Sequence, residues 1–296
     1  MTYTIFGCNN ASSAYFLQLI EGSSIEVWGR HEAILKGVRF INCDLSMPPQ
    51  PSLSNLKGIL VSFAPIWLLS EFLERVSVEQ PERLVDLTGI VAVSSSSYMT
   101  KKYAFSEYDK GLAISLNQAH RLLINLSNSL NISYHIIAPT LVYGSMNGFG
   151  DRNISSIARL LRTTPIIFLP RNAGLRQPIH ASQLAEVVFR SVQSIQHAVN
   201  RIESTVITVG GDEILNYTQM ILRIQKSLPM KDLGRRCRII EVPVRIFYLF
   251  AAGILPIRPK LFEAIMRINS NLAGFSSASQ LLGVEPKTFP VLPLSL

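Results

Sequence analysis

The residues with the clearest chemical potential stand at the ends of short apolar runs. Gly7-Cys8-Asn9-Asn10-Ala11-Ser12-Ser13 follows Thr4-Ile5-Phe6 and precedes an amphipathic stretch. A turn that passes from strand to helix brings backbone amides and a helix N-terminus to the carboxyl end of the strand, where they can cradle a diphosphate. Only Gly7 remains of a G-x-x-G-x-x-G spacing, with Asn10 and Ser13 at the second and third glycine positions. Asn10 can adopt a left-handed conformation at a modest penalty, and Ser12 or Ser13 can cap the helix or bond a phosphate oxygen. The same seven residues also read as a polar turn and helix cap without a ligand, and both readings stay open at this point.

Two later strand ends favour a dinucleotide. Arg30 follows Val27-Trp28-Gly29, a place where an acid would bond a ribose 2′-hydroxyl and a cation would attract a 2′-phosphate, so NADP is favoured with NAD as the alternative. Asp44-Leu45 follows the third run, and its carboxylate can accept from an adenine amino group. Tyr98 and Lys102 have a Tyr-x-x-x-Lys spacing, in a loop ahead of the next helix. Tyr103 and Tyr108 have Glu107 and Leu112 four residues on, so neither pairs with a lysine, while Lys101, Lys102 and Lys110 offer cations from other geometries. His120 and His135 are isolated on amphipathic elements, the usual setting of a structural imidazole, whereas His180 follows Arg176 closely. With no P-loop, HExxH or paired-carboxylate arrangement, no metal site is expected.

The elements that position these residues alternate in type. Residues 4–6, 25–28, 38–41, 58–62, 90–93 and 133–137 read as six strands, and 14–21, 68–78 and 112–130 have apolar residues at helical spacing. Strands alternating with helices predict βαβ crossovers and a doubly wound parallel α/β sheet. After Pro139 the pattern loosens into a Gly-rich loop at 143–150. A helix at 153–162, strand 165–169, helix 181–192, strand 205–209, helix 217–227 and a Pro-rich terminal section follow. We expect a domain over 1–208, with 147–174 contributing to a substrate cleft, and a smaller substrate-binding subdomain over 209–296.

Composition agrees with such an architecture. The 296 residues can bury a full α/β core, and 48% hydrophobic against 16% charged residues suits parallel strands covered on both faces, or a membrane-adjacent surface. A net charge of +8 favours an anionic partner. Three cysteines, Cys8, Cys43 and Cys237, are odd in number and lack CxxC spacing, which predicts a reducing compartment without disulfides. The N-terminus enters a strand at once, without a basic segment and long apolar region, so a cytoplasmic protein is expected. The apolar run 246–257 contains Pro256 and lies between Arg245 and Arg258, too short to span a bilayer. Lys231, Arg235, Arg236, Arg238 and Arg245 precede it, and could meet anionic head groups or be the solvated flank of a buried helix. Nucleic-acid binding is not expected, because no aromatic residues interleave with the basic ones. The sequence sets no oligomeric state.

In arrangement the chain resembles the extended short-chain dehydrogenase/reductases, the NAD(P)-dependent epimerase/dehydratase family, over almost its whole length. Gly7 to Ser13 looks like the dinucleotide loop, Asp44-Leu45 like the adenine-contact pair, and Ser62-Phe63-Ala64-Pro65 like the turn passing the nicotinamide ribose. Ser94 to Ser97 resembles the serine-rich end of the fifth strand, which would make Ser96 the hydroxyl that orients the reacting oxygen. Ala138-Pro139-Thr140-Leu141-Val142-Tyr143-Gly144 is similar to the family's Arg-Pro-x-x-x-Tyr-Gly segment, with Ala138 in place of its arginine. That likeness implies Pro139 beside the cofactor and Tyr143 in catalysis. Gly174 to His180 resembles the segment whose arginine, here Arg176, holds a nucleotide-sugar phosphate, with His180 nearby and Gln183 in a place usually acidic. Asp151-Arg152-Asn153 matches a bacterial subgroup and is assigned to substrate.

The resemblance implies a Rossmann-type fold and hydride transfer to or from a small-molecule substrate such as a nucleotide-linked or lipid-linked sugar. It also implies a tyrosine with a lysine four residues on, on the helix after the fifth strand, which is missing here. The alternative is a catalytically degenerate NAD(P)-binding regulatory or scaffold protein.

Overall fold

A computed structural model describes residues 2–31, 38–50, 53–102, 104, 106–198, 202–254 and 267–291. The chain begins with β1 (Thr2–Phe6), α1 (Ala11–Leu19), β2 (Ser24–Gly29), β3 (Arg39–Asn42), β4 (Gly58–Ser62) and α2 (Ile66–Glu79). It continues through β5 (Leu87–Val93), the short α3 (Ser97–Thr100), α4 (Glu107–Ser129), β6 (Ser133–Pro139) and β7 (Val142–Tyr143). Then come α5 (Asn153–Thr163), β8 (Ile166–Pro170), β9 (Leu175–Arg176), β10 (Ile179–His180), α6 (Ala181–His197) and β11 (Ser204–Gly210). β12 (Leu215–Asn216), α7 (Tyr217–Ser227), β13 (Arg238–Val242) and α8 (Val244–Ile254) follow, and among the described residues the last elements are β14 (Ser276–Ser277) and the short α9 (Ala278–Leu282).

Two compact units result, and the second takes in more than a C-terminal tail. The first comprises 1–139, 146–149 and 181–209, and the second 140–145, 150–180 and 210–296. A single cut after 208 is therefore not what contacts produce, since 150–180 pack with the C-terminal residues.

In the first unit the strands run parallel in the order β11-β6-β5-β4-β1-β2-β3. The six expected strands are all present, and 205–209 adds a seventh beside β6. The chain turns from β1 to β2 on one side and pairs β1 with β4 on the other, so the direction of winding reverses between β1 and β4, the topological switch point of a doubly wound sheet. Helices α2 and α4 pack together over a core that includes Phe6, Trp28, Leu60, Phe72, Ile90, Leu116 and Leu123. Helix α1 packs on α6, which in turn lies on β5 and β6. Coverage on both faces explains why these strands are near-continuous apolar runs.

Helices α1 and α4 begin well before their apolar spacing suggests, for capping and electrostatic reasons. Helix α1 starts at Ala11 rather than 14, because Asn10 and Ser13 form a capping box. Helix α4 starts at Glu107 rather than 112, with Glu107 and Asp109 in its first turn complementing the helix dipole.

The second unit is built from short pairs: β7 with β10 and β8 with β13 in parallel, and β9 with β12 antiparallel. Its core gathers Tyr143, Ile154, Leu161, Leu169, Met220, Ile224 and Phe289.

Candidate functional site

At the switch point the β1–α1 turn meets the turn after β4. Gly7 has φ +77°, and a Cβ there would lie 2.6 Å from the carbonyl carbon of Phe63 and 2.8 Å from the Ala64 Cα. Only glycine allows that approach, because both contacts are backbone and cannot swing away. Ala64 is itself buried and its amide donates to the Ser62 hydroxyl at 3.2 Å. Two sequence-assigned residues are thus brought together at the place where open α/β sheets receive ligands.

Asn10 is extended, with φ −148° and ψ 163°, rather than left-handed. The reason is its work as N-cap: its Oδ1 accepts from the Ser13 amide at 2.9 Å and its Nδ2 donates to Gly7 O at 2.9 Å. Ser13 is buried, and its hydroxyl donates to Asn10 O at 2.8 Å while accepting from the Asn10 amide. The carboxamide therefore takes the amide that a phosphate oxygen would take at this helix start. Among the described residues the amides of Ala11 and Ser12 donate no hydrogen bond, and these donors remain for an anion. Cys8, in the same turn, is buried, and burial pushes its thiol up to about 12, far from a reactive thiolate.

Arg30 is exposed just past β2, and its charge helps hold the Asp44 carboxyl below the usual range. The larger cause is Ser46, whose hydroxyl and amide both donate to Asp44 Oδ1, at 2.7 and 2.9 Å. Leu45 is buried, and its carbonyl accepts from Arg75 at 2.8 Å. Asp44 Oδ1 is thus committed to a local turn.

At the ends of β5 and β6, Ser96 is buried and donates its amide to Pro139 O at 2.9 Å, so these two assigned residues are also neighbours. A polar cluster that sequence reasoning missed lies next to them. Ser94 Oγ and His120 Nε2 are 2.7 Å apart, the Tyr98 ring lies 4.8 Å from that imidazole, and the Tyr98 hydroxyl is 3.1 Å from Thr208 Oγ1. Burial pushes His120 down to about 4, so the imidazole is neutral at neutral pH and a weak base. Tyr98 is therefore engaged across the sheet rather than paired with Lys102.

The start of α4 carries Tyr108, 78% exposed, and one turn later Leu112, which packs on the core. Lys110 pairs with Glu107 at 2.6 Å, and Lys101 with the buried Asp109 at 2.7 Å. Neither cation stands a helical turn beyond Tyr108. Tyr103 lies outside the described residues.

In the second unit the assigned residues are mostly structural. Tyr143 is 0% exposed, its hydroxyl accepts from the Val291 amide at 2.9 Å, and burial raises its phenol well above the ordinary value. Its burial and its bond to the Val291 amide set the phenol in the second unit's core, and desolvation there favours its neutral, protonated form. His180, set beside Tyr143 by the β7–β10 register, lies edge-on to its ring at 5.1 Å and is pushed down to about 4, chiefly by burial and also by Lys287.

Arg176 is also turned inward. Its guanidinium donates to the carbonyls of Leu175, Ser270 and Arg267 at 2.8, 2.5 and 2.6 Å and lies 5.1 Å from the Tyr217 ring centre. A phosphate-binding role for Arg176 is corrected on that ground. Asp151 caps α5, accepting from the amides of Ile154 and Ser155 and, through its other oxygen, from Gly144. Of the trio it begins, Arg152 and Asn153 alone are exposed to meet a ligand.

Among the described residues no cluster of metal-ligating side chains occurs, and no helix is long and apolar enough to cross a membrane. No family model and no curated protein matches the sequence. Solved structures do. MoeE5 in complex with UDP-glucose and NAD is 17% identical, with a TM-score of 0.60 over 98% of this chain and 95% of that one. UDP-glucose 4-epimerase from Bifidobacterium longum, in complex with NAD+ and UDP, is 12% identical, with a TM-score of 0.63 over 98% and 95%. UDP-glucuronic acid 4-epimerase from Bacillus cereus, in complex with NAD, is 14% identical, with a TM-score of 0.60 over 97% and 94%.

Proposed function

We propose that this chain, which has the fold of extended short-chain dehydrogenase/reductase structures, binds NAD(P) and acts by hydride transfer on a nucleotide-linked or lipid-linked sugar. The observation that carries the reading is the close approach of Gly7 to the Phe63 and Ala64 backbone, which only glycine allows and which sets the turns after β1 and β4 together at the switch point, where open α/β sheets receive dinucleotides. The residues fit a dinucleotide in part. Gly7 and Ala64 bring the two turns together, the amides of Ala11 and Ser12 at the start of α1 would donate to a diphosphate, and Asn10 already takes the Ser13 amide that would be a further donor.

When bound, the nicotinamide would exchange a hydride with a carbinol carbon of the sugar. The chain's own part is to orient and exclude water. Ser96, held beside Pro139 by its backbone amide just after β5, would supply the hydroxyl that orients the reacting oxygen. Arg30 supplies a positive charge for a 2′-phosphate, which supports NADP, while the neighbouring solved structures carry NAD. Arg152 and Asn153 are the exposed groups that would meet the anionic part of the substrate.

A second reading has its own observation. With Leu112 one turn after Tyr108, no lysine stands at the position from which it would assist that phenol, which favours a protein that keeps the dinucleotide and has lost turnover. Thermal-shift titration with NADPH, NADH and UDP-sugars tests the common premise, since a ligand bound only by the folded form raises the melting temperature. No shift with either dinucleotide rejects both readings. Stopped-flow observation of NAD(P)H oxidation or formation with UDP-hexoses then separates them.

A further inference from the structure

We infer that the outer face of the β8–β13 pair, together with α8, is a docking surface for an anionic lipid bilayer. In β8, Ile167 and Leu169 point into the second unit's core, so the pleat turns Ile166 and Phe168 outward, and Phe168 is 54% exposed. The register sets Arg238 beside Ile166 and Ile240 beside Phe168. Arg238 and Ile240 are both exposed; Glu241 is exposed as well, but the pleat turns it to the opposite side from Ile240. Helix α8 packs against β8 and adds Ile246 and Leu249, three residues apart on one side, with Leu249 75% exposed.

Exposed aliphatic and aromatic side chains of this size, on a strand pair and on the helix packed against it, mark an interaction site. The charge around them selects the occupant. Arg238 stands within the face, Arg236 is exposed two residues before it, and Arg245 is exposed next to Ile246. An apolar strip with guanidinium groups in and beside it matches the boundary between head groups and acyl chains, where the side chains enter and arginine bonds phosphate. A second copy of this chain would bring the same positive charge to the face, on a molecule of net charge +8, and would be repelled. Since no described helix can cross a bilayer, attachment is in the plane of the surface. The inference stands independently of the dinucleotide.

The test is co-sedimentation of the full chain with vesicles of equimolar phosphatidylglycerol and phosphatidylcholine, against phosphatidylcholine alone. Binding to the anionic vesicles only is expected, weakened in about 1 M salt. The double substitution Phe168→Glu with Leu249→Glu, and separately Arg236→Glu with Arg238→Glu, should each lower affinity at least about tenfold. All four positions are exposed, so melting temperature should hold, and if one double variant fails to fold the other still decides. Equal pelleting of wild type and variants overturns the inference, as does no pelleting above the neutral-lipid control. A wild-type dimer by light scattering that the Phe168/Leu249 variant dissolves, without vesicle binding, would assign the face to self-association instead.

Discussion

Gly7 and Ala64 meet backbone to backbone: a Cβ on Gly7 would lie 2.8 Å from the Ala64 Cα, and the glycine's φ of +77° is one that L side chains avoid. Substitution Gly7→Ala therefore carries two penalties, left-handed strain and overlap with an immovable chain. We expect a loss on the order of 2–3 kcal/mol, read as a melting temperature several degrees lower. Dinucleotide-induced stabilisation should vanish with it. A variant as stable as wild type would show that the two turns do not touch.

Asn10 holds the start of α1 and, by the same bonds, occupies the phosphate's side of it. Glycine at an N-cap costs only a few tenths of a kcal/mol relative to asparagine, and restores the second glycine of the spacing. Asn10→Gly should bind NAD(P)H more tightly by calorimetry, with nearly unchanged melting temperature. Weaker binding would mean that the carboxamide contacts the ligand rather than competing with it.

These two positions also mark what the sequence could and could not convey. The strand–turn–helix around Gly7 was legible because apolar runs covered on both faces leave a local pattern. The cap was legible too, in the reading of Gly7 to Ser13 as a polar turn and helix cap, but that reading puts it on Ser12 or Ser13, whereas Asn10 is the N-cap and Ser13 completes the box. Arg176 was assigned to a phosphate because its neighbours match a family segment. Its real partners are carbonyls at 267 and 270, some ninety residues on, which no local periodicity encodes. The Ser94–His120 contact needs α4 laid against the end of β5, and is equally silent in one dimension.

Arg30 is exposed and shares its neighbourhood with Asp44. If it serves a 2′-phosphate, Arg30→Gln should weaken NADPH at least about tenfold, as expected for loss of a charge-assisted phosphate contact, while NADH changes little. Equal affinity of wild type for the two dinucleotides would remove the NADP preference and leave NAD.

Tyr143 invites a test by removal of one oxygen. Among the described residues its hydroxyl is seen to accept from the Val291 amide alone, so Tyr143→Phe should cost about 1 kcal/mol of stability and leave kcat of any turnover unchanged. A collapse of kcat at full stability would return the phenol to the chemistry.

Acid should destabilise the fold through its buried imidazoles. His120 and His180 are each held at about 4 by burial, against 6.5 when free, and His135 shifts the same way. Between those two values the unfolded chain binds protons that the folded chain refuses, so stability rises with pH across the window and is lost as pH falls from 6.5 to 4. Each of the first two accounts for on the order of 2–3 kcal/mol. Melting temperatures at pH 7, 5.5 and 4.5 should decline stepwise, and His120→Asn should flatten the decline by its own share. A level profile in the wild-type protein would mean that these rings reach water and titrate normally.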